Sequence, residues 1–198
     1  MLRLYHGTNL SSAFDIWLHG IDLSKSLPNL DFGKGFYVTD DKQKAIERAF
    51  KKTHDYNRRY KCKEDAFLVE ILVNEEMFSQ MNMKIFMARE QEWFEFVVNN
   101  RLDLDYLQAN NIHNHNKDNR YDIVFGEIAD GSVANLANEI RQNNDGINNI
   151  DYTQIIPKNG KHYSNQYSFH TEQSLSCIYD ISCVIIKPEE RRKKEESI

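Results

Sequence analysis

The segment Asp31-Phe32-Gly33-Lys34-Gly35-Phe36-Tyr37-Val38-Thr39-Asp40 places two glycines, a lysine and aromatic side chains ahead of a helix-like pattern. Glycines this close together let the backbone turn tightly and approach a ligand. A tyrosine just past them can offer a flat face to a heteroaromatic ring. Upstream, Leu4-Tyr5-His6-Gly7-Thr8 is a short apolar run that ends in histidine and glycine. Together the two segments suggest a nucleotide pocket. It is not a Rossmann or P-loop site: Gly33-Lys34-Gly35 lacks a third glycine at the required offset, and no GxxxxGK[ST] occurs. His113-Asn114-His115 could ligate a metal, but only Asp118 stands nearby as a further ligand. That stretch reads as a solvent-exposed polar loop.

Read one at a time, these residues have plain alternatives. His6 could be a core histidine, Tyr37 an ordinary strand aromatic, and Gly33 with Gly35 a hairpin. His170 and Thr171 read as a strand end and a helix cap.

Read in order, the segments resemble a family. Phe32-Gly33-Lys34-Gly35-Phe36-Tyr37-Val38 followed by a helix is similar to the central segment of diphtheria-toxin-like and poly-ADP-ribose-polymerase-like ADP-ribosyltransferases. Leu4-Tyr5-His6-Gly7 resembles that superfamily's first motif. Asn165-Gln166-Tyr167 sits where its third motif usually carries glutamate. A closer resemblance is to a bacterial domain-of-unknown-function family in the same superfamily. It combines a YHG start, a DFGKGFY centre and a QxSFHT end, which Gln166-Tyr167-Ser168-Phe169-His170-Thr171 matches.

The resemblance implies an α+β fold of two packed, mostly antiparallel sheets with flanking helices and NAD in the cleft between them. It implies a mono-ADP-ribosyltransferase that releases nicotinamide, with His6, Tyr37 and Gln166 as its catalytic residues. His6 would hold a hydroxyl of the adenosine ribose, since a neutral imidazole carries one donor and one acceptor. Gly7 would present N–H and C=O to the nicotinamide amide at close range. Tyr37 would stack on the nicotinamide ring, a contact worth about 1–3 kcal/mol. Thr8, Lys34, Gly35 and Phe36 complete the expected NAD contacts.

The reaction would break the bond from nicotinamide to ribose C1 through an oxocarbenium-like state, which the site must position and stabilise. Gln166 departs from the pattern. A glutamine carbonyl can orient a ribose but carries no charge, and losing a charge-assisted contact costs roughly 2–4 kcal/mol, about two to three decades in rate. Three readings stay open: a slower enzyme, a carboxylate supplied by Glu127, Asp130 or Glu92, or binding without turnover. The last makes the chain a module for NAD, another nucleotide or a protein partner. Single-unit transfer is expected rather than polymer synthesis. The acceptor stays open among protein, nucleic acid, small molecule and water. A toxin paired with an antitoxin is an expectation by analogy at the level of fold.

The elements that must position these residues are strands at 2–5, 36–39, 66–73, 121–125, 163–169 and 181–186. Helices are expected after Ser12, after Asp40 or Asp41, and over 89–100, 132–142 and 171–179. Phe14, Ile16, Trp17 and Leu18 give the first helix its apolar side, and Gly20 stops it. Residues 21–30 and 110–119 read as loops, and 126–130 as a turn. Trp93, Phe94, Phe96 and Val97 read as core, and Arg101 as compensation at a helix C-terminus. The mixture without a regular βαβ beat points to α+β.

At 198 residues the chain suits a single domain, expected over 1–187, with a charged solvated tail over 188–198. A net charge of −5 gives no global pull toward nucleic acid or an anionic membrane. No apolar run reaches the roughly 20 residues of a membrane span. Three cysteines without CxxC spacing argue for a reducing cytoplasm.

Overall fold

The computed structural model describes residues 2–143 and 163–192. It is mixed α and β, with two sheets and flanking helices. The chain separates into two compact units. One comprises Met1–Asp22, Tyr37–Met81 and Glu172–Ile198; the other comprises Leu23–Phe36 and Asn82–Thr171. Each unit is built from discontinuous stretches of sequence.

The first unit holds a three-stranded sheet, order β1-β3-β7, formed by β1 (Leu2–Asn9), β3 (Ala66–Val73) and β7 (Ile178–Ile185). Both pairings are antiparallel, with Leu2 opposite Val73 and Phe67 opposite Ile185. The central strand reads as a near-continuous apolar run because both faces are covered: Ala66, Leu68, Val69, Ile71 and Val73 are all buried. Helix α2 (Lys42–Tyr60) begins at Asp41, whose carboxylate accepts the Lys44 N–H at 3.0 Å. Its Ala45, Ile46 and Ala49 meet Ala66, Leu68 and Ile186 in one apolar cluster.

Helix α1 (Leu10–His19) does not start at Ser12, which lies inside it. Glu64 takes the capping role from elsewhere in the sequence. Its carboxylate accepts the Ser11 N–H at 3.1 Å and the side-chain donors of Asn9 and Ser11. Gly20 ends the helix as expected, at φ 81°. Phe14, Trp17 and Leu18 are more than half exposed, while Ala13 is the buried position. The helix turns its small residue to the sheet, where Ala13 O accepts from Cys183 Sγ.

The C-terminal elements correct two expectations. The helix expected over 171–179 is only α7 (Glu172–Leu175), and β7 starts at Ile178. Pairing of Ile178 with Val73, beside an Asn74 N–H to Cys177 O bond of 2.8 Å, overrides the local helical pattern. Pro188–Arg192 forms a 3-10 helix rather than open tail, and residues 193–198 lie outside those described. Helix α3 (Glu75–Ser79), capped by the Asn74 side chain, was not visible in the pattern.

The second sheet has the order β2-β6-β5-β4, with β2 (Phe36–Val38), β4 (Met83–Ile85), β5 (Ile123–Glu127) and β6 (Asn165–Phe169). Strands β5 and β6 are antiparallel, but β4 runs parallel to β5. Gly126 and Glu127, expected in a turn, belong to β5. In the second unit, α4 (Gln91–Arg101) buries Trp93, Phe94, Phe96, Val97 and Val98 completely. Helices α5 (Leu104–Ala109) and α6 (Gly131–Asn143) follow. The loop over 110–119 is only partly exposed. Asn116 is fully buried, and its N–H donates to Asn100 Oδ1 at 3.0 Å. Among the described residues no helix is long and apolar enough to cross a membrane.

Candidate functional site

In the first unit the structure joins the first two motifs. β1 runs on past Tyr5, so His6, Gly7 and Thr8 lie inside the strand rather than beyond its end. Tyr5 and Thr39 exchange backbone bonds of 2.8 and 2.9 Å, which lays the segment after the glycines along the outer edge of β1. His6 Nδ1 then lies 2.7 Å from the Tyr37 carbonyl. A carbonyl only accepts, so Nδ1 carries the proton and Nε2 is the acceptor of a neutral ring. Burial first, and the Lys52 charge second, pull the His6 pKa from 6.5 to about 3. The imidazole therefore stays neutral at any physiological pH.

Gly7 is held by two constraints. A Cβ there would meet Ala45 O at 1.9 Å and Ala49 N at 2.7 Å, because the α2 backbone crosses β1 at this point. Residues two apart in a strand address the same edge. Since Tyr5 bonds Thr39, the N–H and C=O of Gly7 also point to the outer edge, away from β3. Thr8, expected at a rim, is instead fully buried, and its hydroxyl contacts Asn9 Oδ1.

In the second unit the glycines serve close packing. Gly33 sits at φ 93°, a conformation that favours glycine. Gly35 is clasped by Ser26, whose hydroxyl accepts its N–H and donates to its C=O, each at 2.9 Å. A Cβ at Gly35 would meet Ser168 Oγ at 2.5 Å and Phe169 O at 2.8 Å. Phe36 is half-buried at the start of β2, and Lys34 is exposed. The Lys34 carbonyl accepts His170 Nδ1 at 2.6 Å. Burial holds the His170 pKa down at about 4, so this ring is neutral too. His170 thus ties the glycine turn to the end of β6.

Gln166 is nearly buried on β6, and its Nε2 donates to Asp31 Oδ2 at 2.9 Å. Asp31 also accepts Arg101 Nε at 3.0 Å and Nη2, and the Ala129 N–H at 3.2 Å. One carboxylate therefore joins the start of the glycine segment to α4, β6 and the chain after β5. Arg101, read as a helix-end charge, is this carboxylate's partner.

The three carboxylates suggested for Gln166 lie elsewhere. Gln166 pairs with Gly126 and Asn165 with Glu127, so Glu127 projects from the opposite face of the sheet. Glu127 sits 2.9 Å from Arg89 Nε, and Asp130 lies 3.2 Å from Arg89 Nη1. The Arg89 guanidinium stacks over Tyr163 at 3.6 Å from the ring centroid. Burial would raise the Asp130 pKa, but bonds from Ser132, Tyr163 and Arg89 outweigh it and hold it well below the usual range. Glu92 is mostly exposed and pairs with Lys84. The sequence clue to Asp31 was its place at the head of the glycine segment, 135 residues before its partner.

His113 Nε2 contacts Asn111 Oδ1 at 2.8 Å, and His115 Nδ1 accepts the Lys117 N–H at 3.0 Å. Among the described residues no three His, Cys, Asp or Glu side chains gather as a metal site would require.

The family described as "Protein of unknown function (DUF3990)" matches residues 2–179, and the chain belongs to it. Neither a curated protein nor a solved structure matches the chain.

Proposed function

We propose that this member of the DUF3990 family is an NAD-dependent mono-ADP-ribosyltransferase. The observation that carries the reading is the 2.7 Å bond from a neutral His6 to the Tyr37 carbonyl. It couples the His-Gly motif to the tyrosine of the glycine segment, the two residues that the resemblance assigns to NAD. The outward-facing N–H and C=O of Gly7 support the nicotinamide contact expected of it.

In the proposed reaction the bond between nicotinamide N1 and ribose C1 breaks, and its electron pair leaves with nicotinamide. The cationic ring departs neutral, so no proton donor is required. The acceptor's nucleophile forms the new bond to C1 and releases its proton to solvent. Gln166 Oε1 orients a ribose hydroxyl, the task the resemblance gives it, while Asp31, itself paired with Arg101, fixes the amide through Nε2. The neutral amide also favours a second reading, a module that binds NAD without turnover.

Purified protein incubated with NAD, with and without cell lysate, separates these readings by the nicotinamide released. Release that requires lysate and is lost in Tyr37→Ala supports the transferase. Release without lysate indicates hydrolysis or self-modification. Bound NAD with no release moves the assignment to the module.

A further inference from the structure

On α2, residues 45, 48, 49 and 52 recur at helical spacing and share one face. Ala45 and Ala49 are the residues whose backbone presses on Gly7. Arg48 and Lys52 flank that contact, and both are exposed. Of the helix's other cations, Lys42 pairs with Glu70, Lys44 with Glu47 and Arg58 with Asp55, while Lys51 and Arg59, without acidic partners among the described residues, are not among the charges that act on His6. Among the described residues neither Arg48 nor Lys52 has an acidic partner. Both charges reach His6, where they depress the imidazole pKa. In a chain of net charge −5, two like charges one turn apart, left uncompensated, oppose folding.

We propose that Arg48 and Lys52 bind the diphosphate of the dinucleotide. A helical rise of about 6 Å separates the two positions, within reach of long side chains that converge on adjoining phosphates. The guanidinium supplies a planar fork for phosphate oxygens and the ammonium a point charge. The ligand's identity as NAD rests on the function proposed above, whereas the diphosphate chemistry rests on the two cations. Although the Lys52 residue as a whole is exposed, desolvation of its ammonium first, and the Arg48 charge second, lower its pKa from 10.5 to about 8. An arriving anion reverses the second effect, so ligand binding near pH 8 takes up protons.

The test is calorimetric titration of ADP, NAD and adenosine into the full chain, the Arg48→Gln/Lys52→Gln variant and an Arg59→Gln charge control. Both substituted positions are exposed, and thermal unfolding checks that each variant folds. The double variant should lose at least about tenfold in ADP and NAD affinity, with adenosine unchanged. The fall in wild-type affinity between about 50 and about 200 mM salt should flatten in the variant. Binding enthalpy near pH 8 should depend on the buffer in wild type and less so in Lys52→Gln.

A double variant that binds ADP and NAD like wild type overturns the proposal. So does equal loss of adenosine, equal loss in the Arg59 control, or a wild type that binds neither nucleotide. Nicotinamide release, read in parallel, keeps the two ideas apart. Cation-dependent ADP binding without release sinks the transferase and leaves the diphosphate site. Release with the double variant's KM unchanged sinks the diphosphate site and leaves the transferase.

Discussion

Half-buried His6 and buried His170 both stay neutral, with pKa values lowered, chiefly by desolvation, to about 3 and about 4 from an ordinary 6.5. The unfolded chain protonates these rings as pH falls below 6.5, and the folded chain does not. Their contribution to stability is therefore complete above pH 6.5 and is lost as pH falls toward 4 and then 3. The melting temperature should be lower at about pH 5 than at about pH 7.5, and His6→Asn should narrow that difference. A drop that His6→Asn leaves unchanged would place the titration on other groups.

Gln166 offers a sharper test at the same scale. Gln166→Glu is the obvious way to restore a carboxylate, but it would face Asp31 across a 2.9 Å contact. Two carboxylates that close cannot both ionise. The single variant should lose about 1–3 kcal/mol of stability. Adding Asp31→Asn should recover part of it, giving a coupling of about 1 kcal/mol in a double-mutant cycle. Urea unfolding of the four proteins measures this, and additive losses would show that the two side chains do not share a bond.

Among the elements, the crossing of α2 over β1 sets the local geometry. Ala45 O would lie 1.9 Å from a Cβ at Gly7, and that oxygen belongs to helix backbone with no rotamer to relieve it. Gly7→Ala should cost about 3 kcal/mol in urea unfolding, since the helix must move to admit one methyl. At the start of α1, Glu64 replaces a local cap. Glu64→Gln should cost about 1 kcal/mol, while Ser12→Ala should cost little, because Ser12 lies inside the helix.

The strand over 66–73 was legible because its apolar run has a single interruption, at Glu70, and its boundaries hold to the residue. The cap of α2 was legible to within one residue, Asp40 or Asp41, because capping depends on residues three apart, and the structure places it at Asp41. β4 and α5 were not, being three and six residues long and too short for a period. The residues after Leu175 carried a helical pattern that lost to pairing with β3.

At the scale of the molecule, each compact unit gathers segments far apart in the chain. His6 and Tyr37 belong to the first unit, Gln166 and Asp31 to the second. If NAD is the ligand, it should stabilise the chain by mass action, about 2.7 kcal/mol at a hundred times Kd. A melting temperature that does not respond to millimolar NAD would remove both the transferase and the module that binds NAD.

The sequence by itself determined the α+β class, the central strand, the capped helix and the residue types able to contact a nucleotide. Those follow from periodicity and from chemistry within a few neighbouring residues. Tertiary structure alone decided which carboxylate meets Gln166, why Glu127 and Asp130 belong to Arg89, and what caps α1. These bonds join residues 135, 38, 41 and 53 positions apart. A charge or donor has many candidate partners along a chain, and only the folded geometry brings one of them within hydrogen-bond reach.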